Sequence, residues 1–434
     1  MKSISGLQLQ IDSLPKGNVY SKTIKGHVYF YHQYFYAGKR YSRLLKENEV
    51  ERFKKLISDR KRLERELRDR LKIKDVVLSN AARDKTGDVM SQDRVVARFE
   101  RGELIYIDEE RAPLVIKRTH SLDSFLNLRA IDMSRTNARL LKKALGLKNI
   151  DDSLLPLIPH AASISDTYWF KPKHSKMDYK DIRYENDALF DLALKGDSSF
   201  FPSKPKQTPE LTTVGSFEKG WKKIDGVWWL YKAGSDRERF SELFCAHLSE
   251  LFGIKTAFYE IVDKWIRTKN FASSLNFEPM ASILGEDDSY EFAYQSLVCF
   301  GESVANDYLK LMFFDAWVYN VDRHNENYGI MRDPTSGKIN SLAPNFDCNL
   351  ALISRGELPS NPAKDGLIKL FLKFVNGDPR VKTAFEKMDL PVIEEGMMEK
   401  IYLKTPESIR PHNAKSLFSI LLNRYEYLKR KTKG

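Results

Sequence analysis

Three polar side chains in the second half of the chain have the residue types and the spacing that phosphoryl transfer would require. Asp322 and Asn327 lie five positions apart in the segment DRHNEN, and Asp347 follows twenty positions later. Phosphoryl transfer from a nucleotide needs one group that orients or deprotonates the attacking hydroxyl, and oxygen ligands that hold magnesium on the phosphates. Because magnesium prefers carboxylate and other oxygen ligands, this pattern favours magnesium-dependent phosphoryl transfer.

The same interval separates the base aspartate from the magnesium-binding asparagine in the protein-kinase catalytic loop, HRDxxxxN. The polar run follows directly after the apolar helix LMFFDAWVY, which predicts a turn at a site. The next element, SLAPNFDCNLAL, is predicted as a short apolar strand that carries Asp347. We therefore expect Asp347 to supply the second magnesium carboxylate.

A lysine further upstream is predicted to lie at the end of an apolar strand, WWLYK. Burying Lys232 among aromatic side chains is costly unless the ammonium group is paired with an acid. The helix that follows offers Glu242, ten positions on, as the favoured partner and Glu238 as the alternate. An ion pair with either glutamate would hold Lys232 against the α/β-phosphates of a nucleotide.

A glycine-containing turn, TTVGSFEKG, precedes this strand and includes Gly215 and Ser216. Its backbone N–H groups could cover the phosphates of a nucleotide. The motif GxGxxG does not occur, so this role is inferred from the position of the turn. The turn, the strand lysine, the helix glutamate, the polar loop and the later aspartate follow one another in the order that a kinase fold requires.

Residues 150–420 resemble the HipA-like serine/threonine kinases, the toxin kinases of bacterial toxin–antitoxin systems. The resemblance is carried by DRHNEN with the later aspartate, and by the stretches HAASISDTYWFKP and LYKAGSDRERFSELF. The pattern DRHxxN also resembles the catalytic loop of phosphatidylinositol 3- and 4-kinases. The resemblance to HipA implies a bilobal, protein-kinase-like α+β fold with a β-rich N-lobe and a helical C-lobe, and it implies ATP and Mg²⁺ as cofactors.

The resemblance also implies a role for each polar residue of the site. The catalytic base would be Asp322, and Lys232 would contact the ATP phosphates. The magnesium ligands would be Asn327 and Asp347. His324 would orient the loop or contact the γ-phosphate, and a purely structural histidine is the alternative.

Further expectations concern the ion pairing, the hinge and the covering turn. Arg323 would pair with a nearby carboxylate or with an acidic substrate. The strand TKNFASSLNFEPM should lead into the hinge that contacts adenine, and its expected lining residues are Asn276, Phe277, Glu278 and Met280. In HipA-like kinases the phosphate-covering loop can carry an autophosphorylated serine that ejects ATP. Ser216 lies in such a turn here, and Thr212 and Thr213 are equally plausible.

Residues 1–75 are predicted to form a module that does not match the usual HipA amino-terminal subdomain. Within residues 17–45, HVYFYHQYFY and KRYSRLL predict a β-hairpin with its turn at Ala37-Gly38-Lys39. A charged helix with an apolar stripe and a basic face is predicted over 46–73. A basic hairpin with aromatic residues and a basic helix could bind nucleic acid. The alternative, which we favour, is a helix that docks or dimerises through its apolar stripe.

Three further regions are predicted: a mixed α/β accessory region at 76–150, the N-lobe at 151–285 and the helical C-lobe at 286–434. The stretch DSSFFPSKPKQTPE, rich in Pro, Ser and Lys, predicts a loop or linker. The 434-residue chain has a net charge of +12, which favours anionic partners such as a nucleotide, a nucleic acid or an acidic protein. The three cysteines form no CxxC pair, and this fits a reducing compartment.

The sequence contains no run of about 18 apolar residues and no apolar signal-peptide core, so we expect a cytoplasmic protein. The leading prediction is an ATP- and Mg²⁺-dependent protein serine/threonine kinase, a toxin or regulatory kinase with autophosphorylation. Its expected partners are a protein substrate and a small helix-turn-helix antitoxin. The alternatives are a phosphoinositide or other small-molecule kinase, and a nucleotide-binding pseudokinase with a nucleic-acid-binding amino-terminal module.

Overall fold

The computed structural model describes residues 10–11, 13–24, 26–36, 39–70, 78–135, 137–147, 149–196 and 207–433. Three sequence predictions fall wholly or partly outside these ranges. They are the hairpin turn at Ala37-Gly38, the last residues of the helix predicted over 46–73, and most of the predicted linker, at 197–206.

The amino-terminal module is a three-stranded antiparallel sheet followed by one long helix. Its elements are β1 (Asn18–Ile24), β2 (His27–Tyr36), β3 (Lys39–Leu44) and α1 (Glu47–Arg70), with the strands in the order β1-β2-β3. The predicted hairpin corresponds to β2 and β3. The strand β1 was not predicted, because the polar sequence NVYSKTI has little apolar alternation.

The apolar stripe of α1 packs on one face of this sheet. Val50 and Ile57 are buried, and the Phe53 ring lies 5.0 Å from the imidazole ring of His32 on β2. Arg60 reaches under the sheet and donates hydrogen bonds to the carbonyl groups of Ile11 and Leu14. The apolar stripe of this helix, which was predicted from the spacing of its residues, therefore packs on the sheet of the same module.

The accessory region combines short helices with a four-stranded antiparallel sheet in the order β6-β5-β4-β7. Its elements are α2 (Asn80–Arg83), β4 (Gly87–Ser91), β5 (Arg94–Glu100), β6 (Glu103–Tyr106), α3 (Leu114–Thr119), α4 (Leu122–Asn127), α5 (Ala138–Ala144), β7 (Tyr168–Pro172), α6 (Tyr179–Ile182) and α7 (Phe190–Lys195). β7 pairs with β4 of the accessory sheet, whereas α7 packs on the β-rich lobe that follows, with Phe190 and Leu194 against Tyr231. Residues after the predicted boundary at 150 therefore contact both the accessory region and the β-rich lobe.

The β-rich lobe that follows has four antiparallel strands in the order β10-β11-β9-β8 and one helix. Its elements are β8 (Lys219–Ile224), β9 (Val227–Lys232), α8 (Asp236–Leu251), β10 (Tyr259–Val262) and β11 (Trp265–Lys269). The helix α8 begins with a capping box, in which Ser235 and Glu238 satisfy each other's backbone N–H groups. It ends before Gly253, whose φ of +76° suits a residue without a Cβ atom.

The helical lobe completes the chain. Its elements are β12 (Asn276–Pro279), α9 (Ala281–Leu284), α10 (Tyr290–Val298), α11 (Glu302–Val318), β13 (Gly329–Arg332), β14 (Ile339–Leu342), α12 (Gly366–Gly377), α13 (Pro379–Glu386), α14 (Glu395–Lys404) and α15 (Ala414–Lys433). Short 3₁₀ turns lie at Glu109–Arg111, Asp152–Leu157, Pro209–Thr212, Pro362–Lys364 and Glu407–Ile409. Across the described ranges, no helix has both the length and the apolar character needed to cross a bilayer.

The central helix α11 fixes the site because it is buried on nearly all sides. Trp317 on α11 and Tyr425 on α15 have ring centroids 4.8 Å apart, and Phe313 stacks with Phe385 at 5.5 Å. Tyr319 ends the helix in a left-handed conformation. The chain then forms a turn where the polar loop begins, as the sequence predicted from the change in polarity.

Candidate active site

The polar residues singled out in the sequence converge on one cleft between the β-rich and helical lobes. Lys232 enters it from the end of β9, and Asp322 and Asn327 enter it from the loop after α11. The same cleft is lined by Asp347 and by the turn that contains Gly215 and Ser216. The structure thus brings together residues that lie more than a hundred positions apart.

Lys232 is buried and contacts two acids. Its Nζ lies 2.8 Å from Oδ1 of Asp347 and 3.7 Å from Oε2 of Glu242 on α8. Burial opposes the charged form of Lys232, but the two carboxylates outweigh burial and raise the pKa of Lys232 above its usual value. Glu238 is turned away, since its carboxylate accepts the Ser235 N–H at 2.7 Å. The structure therefore places Glu242, and not Glu238, beside the lysine.

Asp347 lies in an irregular segment after β14, where the sequence had predicted a strand. Its backbone is left-handed, with φ at +59°, and its N–H group donates to the Tyr259 hydroxyl at 3.1 Å. Burial tends to raise the pKa of Asp347, but the ammonium groups of Lys232 and Lys219 outweigh this and lower it to about 2. Asp347 is therefore a carboxylate at neutral pH.

The polar loop holds Asp322 and Asn327 through its own hydrogen bonds. The Asn327 Nδ2 group donates to the Asp322 carbonyl oxygen at 2.9 Å, and its backbone N–H donates to the His324 carbonyl at 2.8 Å. This leaves Oδ1 of Asn327 without a hydrogen bond from any described residue, so this oxygen can bind a metal. Partial burial raises the pKa of the Asp322 carboxyl.

His324 is exposed at the mouth of the cleft. Its Nδ1 accepts the Glu326 backbone N–H at 3.3 Å, and the His324 backbone N–H donates to the Asp322 carbonyl at 2.9 Å. These local contacts shape the loop, while the rest of the imidazole ring stays open to the cleft. Both predicted roles, orienting the loop and contacting a phosphate, are compatible with this position.

Arg323 is the buried link between the polar loop and the segment that carries Asp347. It forms two hydrogen bonds to Asp315 of α11, at 2.8 and 3.0 Å, and it also donates to the carbonyl oxygens of Asn327 and Phe346, both at 2.7 Å. Two partners were predicted for Arg323, a nearby carboxylate and an acidic substrate. In the structure Arg323 pairs with a nearby carboxylate, that of Asp315. Asp315 was missed, although an acid within LMFFDAWVY is a signal of buried pairing.

The covering turn is held by two cations that sequence reasoning missed. Lys219 Nζ donates to the Val214 carbonyl at 2.9 Å. Arg135, from the accessory region, donates to the carbonyl oxygens of Thr213 and Lys219, both at 2.9 Å. Burial lowers the pKa of Lys219 to about 8. These bonds fix both ends of the turn over the cleft.

The three hydroxyl groups considered for autophosphorylation differ in environment. Ser216 is exposed at the tip of the turn. Thr212 and Thr213 are buried, and their hydroxyl groups donate to the carbonyl oxygens of Ala162 at 2.6 Å and Pro209 at 2.7 Å. A phosphate on either threonine would therefore require the turn to leave its position.

The predicted hinge residues are only partly in the cleft. Phe277 and Glu278 line it, whereas Met280 is buried in the core of the helical lobe and Asn276 accepts the Thr167 N–H at 2.9 Å. Asn276 and Met280 are fully buried and do not line the cleft, and β12 pairs with β13 of the helical lobe. Glu278 pairs with Arg332, so it is structural as well.

The apolar wall of the cleft is formed by three phenylalanine rings. Phe271, Phe277 and Phe346 lie with their ring centroids 5.4 to 5.6 Å apart. Phe271 belongs to the segment that connects β11 to β12, and Asn270 next to it also lines the cleft. The connection between the lobes therefore passes through Asn270 and Phe271, a few residues before the predicted hinge.

The comparisons with known proteins rest on structure, since no family model and no curated protein matches the sequence. The chain superimposes on HipA of Shewanella oneidensis MR-1, solved with HipB and its operator DNA, with a TM-score of 0.53 and 14% identity. That match covers 80% of this chain and 100% of HipA. The chain has the HipA fold. The predicted α+β fold class and the resemblance to HipA are thereby confirmed.

A second solved structure is similar over a shorter region. The Helicobacter pylori proinflammatory kinase CtkA matches with a TM-score of 0.40 and 17% identity. The match covers 49% of this chain and 92% of CtkA.

The oxygen donors of this HipA-like fold fit a magnesium ion. Asp347 offers an ionised carboxylate and Asn327 offers its Oδ1 atom, and both residues line the same cleft. In the part of the chain that the structure describes, no three His, Cys, Asp or Glu side chains form a closed metal site. Magnesium commonly binds through one or two carboxylates plus substrate phosphates, and this donor set is of that open kind.

Proposed function

We propose that this protein is an ATP- and Mg²⁺-dependent protein serine/threonine kinase of the HipA-like type. The observation that carries the proposal is the convergence, in one cleft between two lobes, of a paired lysine, a half-buried aspartate and two metal-binding oxygen donors. Lys232 with Asp347, together with Asp322 and Asn327, supplies the parts that phosphoryl transfer requires. The HipA-like fold adds support.

Asp322 would accept the proton of the attacking hydroxyl group. Partial burial raises the pKa of its carboxyl, which makes it a better proton acceptor than an exposed aspartate. Asn327 holds the Asp322 backbone through its Nδ2 group, so the base and the metal ligand are positioned together. The bound metal, held by Asn327 and Asp347, would neutralise charge on the transferred phosphate.

Lys232 would bind the α/β-phosphates of ATP, with Glu242 behind it as a fixed counter-charge. The turn around Gly215 lines the cleft, and its backbone N–H groups would cover the phosphates. The rings of Phe271, Phe277 and Phe346 would form the apolar wall beside the adenine base.

The test is transfer of label from γ-labelled ATP with magnesium to the protein itself or to proteins of a mixed lysate. Asp322→Asn removes the base while keeping size and hydrogen bonding, so we expect labelling to fall by about three orders of magnitude or more. The matched control is Asp389→Asn, an exposed aspartate of the helical lobe, which should label like the wild type. Equal labelling by Asp322→Asn would disprove the assignment.

The same assay separates the protein kinase from its alternatives. Label found only in a lipid extract would support a phosphoinositide kinase, and nucleotide binding without any transfer would support a pseudokinase. The HipA structure contains HipB and operator DNA, and by extension we propose a small protein partner for this chain. Co-purification of the product of a neighbouring gene with the tagged full chain would test that partner.

A further inference from the structure

The sheet of the amino-terminal module has one face that α1 does not cover. Side chains alternate between the two faces of a strand, and Phe53 of α1 packs against His32. Tyr31 and Gln33, on either side of His32, therefore point to the opposite face, which we call the open face. Tyr20 lies across from Tyr31, and Lys22 lies across from Tyr29, so they belong to it as well.

The open face is exposed although it is rich in aromatic residues. Tyr20 is 51% exposed and Tyr29 is 39% exposed, and Lys22 and Arg40 are exposed beside them. The residues that line one shallow depression on this face include Tyr20, Lys22, Tyr31, Gln33 and Arg40. Because the apolar stripe of α1 is already buried against the other face, the module does not need the open face for its own core.

The charge of the sheet is of one sign. From Ser13 to Lys46 the sequence contains seven lysine and arginine residues and no aspartate or glutamate. Lys22 and Arg40 lie on the open face, whereas Arg43 lies on the α1 side and pairs with Glu49. A surface of this kind releases counterions when it binds a polyanion, and binding is then tight at low salt. The partner should therefore be a chain of phosphates and not a mixed-charge protein surface.

The side chains in the centre of the open face can read base edges. Arg40 donates to Oε1 of Gln33 at 2.6 Å, and Gln33 donates to the hydroxyl of Ser42 at 3.3 Å. Guanidinium and amide groups form the usual hydrogen bonds to guanine and adenine in the major groove. Three strands about 4.8 Å apart span roughly 10 Å, which matches a major groove about 12 Å wide.

We propose that the open face of this sheet binds double-stranded DNA in the major groove. Lys22 contacts the phosphate backbone, and Arg40 with Gln33 contacts base edges. The major groove of A-form RNA is too deep and narrow for side chains to read, so duplex RNA of the same sequence should bind more weakly. This function is independent of phosphoryl transfer in the cleft.

The test measures binding of the full chain to a labelled DNA duplex of about 30 base pairs, by fluorescence polarisation at several salt concentrations. The variant Lys22→Glu/Arg40→Glu reverses two charges on the open face. We expect at least about tenfold weaker binding and a salt slope that is smaller by about 1, because one phosphate contact, that of Lys22, is lost. Both residues are exposed, so the thermal unfolding of the variant should match the wild type.

The matched control, Arg52→Glu/Lys55→Glu, makes the same change in net charge on the exposed side of α1. It should weaken DNA binding less than about threefold. Equal losses in the two variants would show that only overall charge matters and would overturn the proposal. Equal affinity for duplex RNA, or no binding of the wild type at about 50 mM salt, would overturn it too. Labelling from ATP should be unchanged in both variants.

Discussion

The ammonium group of Lys232 lies nearer to Asp347, at 2.8 Å, than to Glu242, at 3.7 Å. The side chain that we assign to the phosphates of ATP is therefore the direct partner of the carboxylate that we assign to magnesium. Each neutralises the other while the cleft holds no ligand. In the proposed function, nucleotide and metal would each have to separate this pair, so we expect the two ligands to favour each other's binding.

The first prediction concerns metal binding without nucleotide. Lys232→Met removes the cation that occupies Asp347, and it should strengthen the binding of Mn²⁺, as a probe for Mg²⁺. We expect a gain of about tenfold or more, which is about 1.4 kcal/mol, since a partly buried contact ion pair can be worth about 4 kcal/mol. The same variant should lose phosphoryl transfer. Titration calorimetry measures the affinity, and Lys369→Met, at an exposed site on α12, is the control. An unchanged affinity of Lys232→Met for Mn²⁺ would contradict the idea that Lys232 and the metal compete for Asp347.

The second prediction concerns the buried pair of Arg323 and Asp315. Asp315→Asn leaves the guanidinium group without a counter-charge, and removing one partner of a buried ion pair typically costs about 3–5 kcal/mol of unfolding free energy. Chemical denaturation measures this loss. The double variant Asp315→Leu/Arg323→Met should be less destabilised than the sum of its single variants, because the two sites are in direct contact. An additive double variant would show that the pair is not coupled.

The residues that converge in the cleft could be predicted from sequence where the signal is local. The interval from Asp322 to Asn327 fixes the loop, and Lys232 ends a strand whose apolar residues can be recognised without a structure. The HipA fold follows from the order of such segments. By contrast, Arg135 contacts Thr213 across 78 positions, and no local pattern reports such a contact.

The failures at the strands have a related cause. The sequence predicted a strand at Asp347, but a left-handed residue there is selected by its contacts with Lys232 and Tyr259, which are tertiary. The segment around Asn276 does form a strand, yet it pairs with β13 of the helical lobe. The β-propensity of a segment indicates that it is extended. The lobe to which the strand belongs is set by the strands it pairs with, and that pairing depends on the whole fold.

The third prediction concerns Arg135 as a positioning residue. Its bonds to the carbonyl oxygens of Thr213 and Lys219 fix both ends of the covering turn, so Arg135→Met should loosen the turn. We expect the KM for ATP to rise about tenfold while kcat falls less, with faster amide exchange in the turn. Arg139→Met, at an exposed position on α5, is the control. A fall in kcat alone would argue against positioning.

The fourth prediction concerns pH and Lys219. Burial lowers the pKa of this lysine to about 8 in the folded protein, whereas an unfolded lysine titrates near pH 10.4. Between these values the unfolded state binds more protons, so the contribution of Lys219 to the free energy of unfolding increases as the pH rises. Relative to Lys219→Met, the wild type should gain roughly 2 kcal/mol between about pH 7 and pH 10.

Urea denaturation of the wild type and of Lys219→Met across this pH range gives the difference between their free energies of unfolding. The contributions of all groups that titrate alike in both proteins cancel in this difference. Lys222→Met, at a partly exposed lysine of the same strand, is the control, and the pH-dependent gain of the wild type should be larger against Lys219→Met than against Lys222→Met. Lys219→Arg keeps the positive charge throughout, so it should not gain stability relative to Lys219→Met as the pH rises. A wild-type advantage that falls with rising pH would mean that the Lys219 ammonium is stabilised, and not strained, by its place beneath the covering turn.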